Sequence, residues 1–227
     1  LPKAYLLPIE GHYKQGAIMD AQAQASIPLK KRLWQQIIKN KLGQQASLLS
    51  FIGENPMRII DLIAKVKSGD PDNCEAQAAR IYWPLLLGPQ FKRDQEKPGI
   101  NSLLNYGYIV LRSAVVRAIV CAGLHPTIGL FHKNTLNPMR LGDDLMEAFR
   151  PFVDMRVYIL VKNGIRDLSN DEKKCFVELM GMNLPSLRGA TEMGYCIQSL
   201  AISLAQVFLS EKKNLELPKT MQKMDWI

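Results

Sequence analysis

The sequence is poor in the residues that form familiar reactive motifs. Among its 227 residues are only three histidines and four cysteines. It has no G-x-S-x-G elbow, P-loop, G-x-G-x-x-G or H-E-x-x-H motif, and no paired E-x-x-H motifs. These absences argue against a serine hydrolase of the common type, a P-loop or dinucleotide-binding enzyme, a zinc protease and a di-iron bundle.

Disulfide and membrane signatures are missing as well. Cys74, Cys121, Cys175 and Cys196 are widely spaced and form no C-x-x-C pair, which predicts reduced core residues and argues against a zinc site. No uninterrupted apolar run approaches the roughly 18 residues of a membrane span, and the start lacks the layout of a signal peptide. We therefore expect a cytoplasmic protein without a membrane partner. Because the chain starts at Leu1, we also expect a fragment of a longer protein.

The composition indicates one globular core and a negatively charged partner. Hydrophobic residues make up 47% of the chain and charged residues 22%, which is enough to bury a sizeable core. The 29 basic residues exceed the 21 acidic ones, giving a net charge of +8. Such a balance favours a polyanion, although composition alone does not separate nucleic acid from a membrane surface.

Hydrophobic periodicity predicts a mainly α fold. Ala4–Ile9 has the pattern of a short strand, whereas helical spacing begins at Ile27. We therefore divide the chain into residues 1–26, a strand and linker, and 27–227, a multi-helix domain. The predicted helices start near Ile27, Met57, Asn73 (interrupted near Pro84), Leu103, Asp143, Pro151, Ser169 (with a capping box) and Gly194, and Ser210–Ile227 is expected to be loosely ordered.

The stretch Leu124–Arg150 is the most chemically dense part of the sequence. It contains His132 on a loop, followed by Asp143, Asp144 and Glu147 at an expected helix start. Each residue alone has an ordinary explanation, such as a packed histidine or first-turn carboxylates that favour the helix dipole. Together, in a basic protein, they suit a divalent metal that acts on phosphodiesters.

A further acid is conspicuous in an apolar setting. Glu75 is the only acidic residue of Asn73–Leu87. Burying an unpaired carboxylate costs several kcal/mol, so Glu75 needs a partner. The residues alone favour Arg80 or another arginine over a metal. Arg112 and Arg117, in an apolar helix, are suited either to buried carboxylates or to a phosphate.

Four segments form a recognisable set in order and spacing. They are N-C-E-A-Q-A-A-R-I-Y-W at 73–83, N-Y-G-Y at 105–108, A-G-L-H-P-T-I-G-L-F-H at 122–132 and D-D-L-M-E-A-F-R-P at 143–151. With these segments the chain resembles the CRISPR-associated integrase/endonuclease, the catalytic subunit of the spacer-acquisition complex, in its type II-like version. The likeness covers about 6–188, and family members begin with a β-rich domain of which only a last strand and linker would remain here.

The resemblance implies a set of functional residues. The metal-binding and catalytic positions of the family fall on Glu75, His132 and Glu147, with Asp144 in support. The implied cofactor is Mg²⁺ or Mn²⁺. Asp143 and His125 are left with capping and loop roles. For the grip on DNA phosphates we select basic residues by charge and by nearness in sequence, namely Lys30, Lys31, Arg32, Lys133, Arg140 and Arg150.

The resemblance also implies a reaction and its partners. The 3′-hydroxyl of a captured double-stranded DNA fragment attacks a phosphodiester at the CRISPR repeat, and hydrolytic DNA cleavage is the counterpart of this transesterification. The implied partners are a second copy in a homodimer, a smaller CRISPR-associated adaptation subunit and the type II effector machinery. The rival hypothesis is a non-catalytic helical DNA-binding or scaffolding protein in which Glu75 pairs with an arginine and His132 packs. Arg150 also has an alternative role, which is to pair with Asp144 or Asp154.

Overall fold

The computed structural model describes residues 14–222 and confirms a mainly helical fold with one small antiparallel hairpin. The strand predicted at Ala4–Ile9 lies outside the described residues. The α-helices are α1 (Gln15–Gln24), α2 (Ile27–Phe51), α3 (Met57–Lys65), α4 (Cys74–Leu87), α5 (Ile100–Cys121), α6 (Arg140–Met146), α7 (Arg150–Lys162), α8 (Asn170–Glu178) and α9 (Met193–Phe208). The strands are β1 (Asn183–Ser186) and β2 (Gly189–Glu192). Helix α1 lies in the segment expected to be a linker.

Helix α2 is the longest helix described and runs beneath the candidate site. It starts where predicted, because the Ser26 hydroxyl accepts a hydrogen bond from Leu29 N at 3.4 Å and Pro28 suits the first turn. Its apolar positions recur at helical spacing and are fully buried, as at Trp34 and Ile38. It packs against α3, α4 and α7.

Helix α5 is the central helix of the other half of the core. Contrary to expectation, it is long and apolar enough, by length and composition, to cross a membrane. Half of its most apolar window is buried inside the protein, however, with Leu103, Leu111 and Ile119 fully enclosed. It packs against α6, α7 and α9, and this position in the core accounts for its composition.

Helix α4 carries Glu75 in its first turn. Asp70 caps this helix, since its two carboxylate oxygens accept hydrogen bonds from Cys74 N at 2.8 Å and Glu75 N at 3.0 Å. Asn73, just before the helix, adopts a left-handed backbone with φ of 53°. The helix continues through Pro84 instead of breaking there.

The acidic turn begins earlier than the sequence suggested. Helix α6 starts at Arg140, three residues before Asp143. Glu147 opens a single 3₁₀ turn, Glu147–Phe149, which joins α6 to α7. This tight connection places Asp144 and Glu147 on consecutive turns, both almost fully buried.

The last third of the chain contains the predicted capping box, a hairpin that was not predicted and a tail that is more ordered than expected. The capping box of α8 forms, because the Ser169 hydroxyl accepts a hydrogen bond from Asp171 N at 3.2 Å and Glu172 Oε2 accepts one from Ser169 N at 2.8 Å. The hairpin β1–β2, paired with Leu184 opposite Thr191, was not predicted. The described part of the tail is ordered against α2 and not loose: Met221 is 1% exposed, and Gln44 accepts a hydrogen bond from its N–H at 3.0 Å.

Candidate functional site

Two carboxylates distant in sequence converge on one lysine. The Lys41 ammonium donates to Glu75 Oε1 at 2.5 Å and to Glu147 Oε2 at 2.6 Å. The side chains of Lys41 and Glu147 are 11% and 5% exposed, and that of Glu75 is 26% exposed. The structure therefore brings Glu75 and Glu147 to a common point, and a cationic group lies between them.

Three elements build this point. Lys41 lies on the buried face of α2, Glu75 on the capped first turn of α4, and Glu147 at the 3₁₀ turn after α6. Burial alone would lower the pKa of Lys41, but the charges of Glu147 and Glu75 raise it above its ordinary value. Burial alone would raise the pKa of Glu147, but Arg150 and Lys41 lower it. These opposing effects favour the charged forms of Lys41 and Glu147.

His132 is held at the edge of the same site by Asp144. Its Nδ1 lies 2.7 Å from Asp144 Oδ1, and this hydrogen bond raises the pKa of His132 against the opposing effect of burial. Glu147 contributes a smaller electrostatic increase to the pKa of His132. With Nδ1 engaged by a carboxylate, Nε2 is the ring nitrogen left for another ligand.

Asp144 also organises the loop that carries His132. It is fully buried and accepts hydrogen bonds from the backbone N–H groups of Leu130 at 2.6 Å, Phe131 at 3.2 Å and His132 at 3.1 Å. A Cβ at Gly129 would lie 2.8 Å from Asp144 Oδ2, so glycine lets the loop approach the carboxylate closely. Both oxygens of Asp144 are thus occupied, which fits a supporting role.

An aromatic pair packs around the imidazole. Trp34 of α2 and Phe131 are stacked, with ring centroids 4.3 Å apart and an interplanar angle of 2°. The His132 ring meets both edge-on, with centroids 5.9 Å from Trp34 and 6.0 Å from Phe131. These contacts limit rotation of the imidazole that Asp144 orients.

Arg150 links Glu147 to a buried hydroxyl network. Its Nε donates to Glu147 Oε1 at 2.7 Å, and its guanidinium carbon lies 4.4 Å from the centroid of the Tyr108 ring. Arg150 therefore pairs with Glu147, and neither of the partners considered from sequence, Asp144 and Asp154, is its hydrogen-bonded partner. Tyr108 donates to Asp154 Oδ1, and Tyr82 donates to Oδ2 at 3.0 Å.

A basic cleft of about 490 Å³ opens beside His132. Three arginines line it, Arg93, Arg112 and Arg150, together with Tyr108. Arg112 Nε lies 2.6 Å from Asp143 Oδ1, and Arg93 donates to the side-chain oxygens of Asn101 at 2.9 Å and Asn105 at 2.7 Å. Guanidinium groups held in this way present a pre-oriented positive wall suited to phosphate oxygens.

The residues predicted to grip DNA are only partly gathered here. Arg150 lines the cleft. Lys133 is exposed on the His132 loop, whereas Arg140 Nε donates to the Thr127 carbonyl at 2.7 Å and braces that loop. The remaining three, Lys30, Lys31 and Arg32, lie in the first two turns of α2, roughly 14–17 Å along its axis from Lys41.

The donor chemistry of the site suits a hard divalent cation. Two carboxylates and an imidazole oriented through its other nitrogen form a familiar ligand set for Mn²⁺ or Mg²⁺. Within residues 14–222, however, no three Asp, Glu, His or Cys side chains are close enough to hold a metal together. Glu75 and Glu147 bond to Lys41 instead. The metal assignment therefore stays a prediction.

Sequence reasoning missed Lys41 as the partner of Glu75. A partner was expected, but Arg80 is exposed and the actual partner is a lysine 34 positions earlier. A signal was present, because Lys41 follows Trp34, Ile37 and Ile38 at helical spacing and so falls on the apolar stripe of α2. The cleft arginine Arg93 was also missed, since it lies in a loop without periodicity.

Comparison with known proteins identifies the family. The family model described as CRISPR associated protein Cas1 matches residues 3–183. The chain therefore belongs to the Cas1 family. It is 40% identical over 166 residues to the CRISPR-associated endonuclease Cas1 of Neisseria meningitidis serogroup C, covering 72% of this chain and 54% of that protein. A Cas1 endonuclease of Francisella tularensis subsp. novicida is 36% identical over 137 residues, covering 56% of this chain and 43% of that one. The chain thus spans about half the length of the Cas1 relatives it matches.

Solved structures share the fold at low sequence identity. A casposase bound to an integration product superimposes with a TM-score of 0.78 and 22% identity, over 94% of this chain and 70% of that one. A chain of a partial Cas6-RT-Cas1–Cas2 complex gives 0.78 at 17% identity, over 96% and 77%. A Cas1 protein from Thermotoga maritima gives 0.68 at 19% identity, over 92% and 73%. The Cas1 fold therefore extends over almost the whole chain.

Proposed function

We propose that this chain is the catalytic part of a metal-dependent DNA integrase and endonuclease of CRISPR adaptation. In this proposal it joins the 3′-hydroxyl ends of captured double-stranded DNA to the CRISPR repeat by transesterification, in the prokaryotic cytoplasm. The observation that carries the proposal is the convergence of Glu75 and Glu147 on one cationic point beside an oriented His132. Family membership supports it, since relatives are described as Cas1 endonucleases.

Each part of the site has a role in this proposal. Glu75, Glu147 and Nε2 of His132 would hold Mg²⁺ or Mn²⁺, and Asp144 would fix the imidazole through Nδ1. When bound, such an ion would polarise a phosphoryl oxygen and stabilise the developing charge. The cleft arginines would hold the DNA backbone against the site.

The structural neighbours support two of the proposed partners, DNA and a smaller adaptation subunit. One structural neighbour is described as bound to an integration product and another as part of a complex with Cas2. We propose that this chain likewise acts on double-stranded DNA, as a homodimer, with a smaller adaptation subunit. The type II effector machinery is a further proposed partner.

The decisive experiment replaces the site residues one at a time in the full-length protein. Glu75→Ala, His132→Ala and Glu147→Ala should each reduce joining of a labelled DNA fragment to a repeat-containing plasmid by about a hundredfold or more in Mg²⁺ or Mn²⁺, because each removes a proposed ligand. His125→Ala is the matched control and should leave joining unchanged. Joining by His132→Ala at the wild-type rate would refute the site assignment.

One observation favours the non-catalytic alternative. Lys41 and Arg150 already neutralise Glu75 and Glu147, as expected of a purely structural ion-pair cluster. In that case the three alanine variants would lose stability, and neither they nor the wild-type protein would join or cleave DNA. Joining that requires both a divalent ion and these residues would exclude the alternative.

A further inference from the structure

Lys41 occupies the place where the proposed function requires a cation. Lys41 is 8% exposed, and its Nζ donates hydrogen bonds to the same two carboxylates that we assign to the metal, Glu75 and Glu147. A buried ammonium is tolerated only with charged partners, because desolvating it unpaired costs several kcal/mol. Lys41 therefore depends on its ion pairs with Glu75 and Glu147.

The charges of the cluster already balance. Lys41 and Arg150 supply two positive charges, and Glu75 and Glu147 supply two negative ones. A divalent ion added to this set would leave an excess of two positive charges in a largely buried setting, where repulsion is weakly screened. An Mg²⁺ ion, with ligand distances of about 2.0–2.1 Å, would also compete with the ammonium for the same carboxylates.

We propose that Lys41 is a resident counter-ion that holds Glu75 and Glu147 together without a metal and competes with the divalent ion for them. This inference rests on the proposed function, because it concerns the same carboxylates. It implies that removing the charge of Lys41 makes metal binding tighter, whereas removing a residue that supports a site would weaken binding. It also implies that the metal-free protein is less stable without Lys41 and gains more stability from the metal.

The test measures Mn²⁺ binding to the full chain without DNA, by electron paramagnetic resonance of free Mn²⁺ and by calorimetry. Lys41→Met keeps an unbranched, flexible side chain but removes the terminal ammonium, and this variant should bind Mn²⁺ at least about tenfold more tightly than the wild-type protein. The matched control is Lys39→Met, the same change two positions earlier on the exposed face of α2, which should bind as the wild type does. Lys41→Gln is a second variant that keeps a polar end group.

Each outcome decides between the two proposals. Tighter binding by Lys41→Met, or binding by that variant alone, supports the competition. Equal or weaker binding overturns it and leaves the proposed function standing, provided that Glu75→Gln abolishes binding. If neither the wild type nor the variants bind Mn²⁺, both proposals fail. If the lysine variants are unfolded without metal, the proposal predicts that added Mn²⁺ restores their helical circular dichroism. If Mn²⁺ does not restore it, the proposal for Lys41 is overturned.

Discussion

Asp144 is a buried carboxylate that organises the loop carrying His132. It accepts hydrogen bonds from three consecutive backbone N–H groups of the 130–132 segment and orients the imidazole of His132. The Glu147 carboxylate, by contrast, faces two cations. This difference is consistent with the prediction that Glu147 is a metal ligand and Asp144 a supporting residue, an assignment that stays a prediction.

Asp144→Asn should therefore be costly despite its small change in shape. The amide has one acceptor oxygen where the carboxylate has two, so at least one buried backbone donor loses its partner. We expect the free energy of unfolding to fall by about 3 kcal/mol in denaturant titrations. The neighbouring Asp143→Asn should cost clearly less, since Asp143 bonds to the side chains of Arg112 and Asn137 near the cleft. Equal stability of Asp144→Asn and the wild type would contradict this account.

Asp154 makes stability depend on pH. Burial raises its pKa from 3.8 to about 6 despite the donated hydrogen bonds of Tyr108 and Tyr82. Between these values the folded protein binds more protons than the unfolded chain, so the free energy of unfolding falls as pH rises through this window. In the wild type this effect should lower the free energy of unfolding by up to roughly 3 kcal/mol between pH ~4 and ~7, and Asp154→Asn should lack this decrease. The stability of the variant relative to the wild type should therefore rise over the same pH range. Parallel stability curves for the two proteins would refute the assignment.

At the scale of elements, close helix packing depends on one glycine of α5. A Cβ at Gly107 would lie 2.5 Å from Val153 Cγ1 and 2.9 Å from Phe176, so α5 approaches α7 and α8 more closely than alanine permits. Gly107→Ala should lower the free energy of unfolding by about 1–3 kcal/mol through overpacking. Gly16→Ala in α1, where no atom lies within 4 Å of the added carbon, should raise it by up to about 1 kcal/mol. Denaturant unfolding of both variants checks the contrast, and a loss at both positions would point to a cause other than packing.

The helices could be predicted where local signals agree, and were missed or misplaced where they do not. The start of α2 at Ile27 and the capping box of α8 follow from residues within four positions of each other. The β1–β2 hairpin has only four residues in each strand, too few for a period of two to stand out. Helix α4 continues through Pro84, with Tyr82 and Leu86 buried on either side of it, although proline favours a break inside a helix.

At the scale of the molecule, the site is assembled from parts that no local pattern connects. Glu75 could be singled out from sequence as an acid in an apolar segment and Glu147 as part of an acidic cluster, and a resemblance to a known family grouped them with His132. That they share Lys41 depends on the contacts of α2 with α4 and with the 3₁₀ turn after α6. Those contacts depend on how whole helices pack, so the ion-pair partner could not be derived from spacing alone.

Contacts between basic side chains and phosphates should dominate binding to DNA, as the net charge of +8 suggests. Each phosphate contact releases counterions, so the logarithm of affinity for duplex DNA should fall linearly with the logarithm of salt concentration. Replacing Lys30, Lys31 and Arg32 by glutamine should lower the magnitude of that slope by up to about 3, if all three contact phosphates. The decrease should be nearly the same for duplexes of different sequence. Fluorescence anisotropy with a labelled duplex at several salt concentrations measures this. The control changes Lys173, Lys174 and Lys213, which are not assigned to DNA, and should leave the slope as it is; a flat salt response of the wild-type protein would exclude binding led by phosphates.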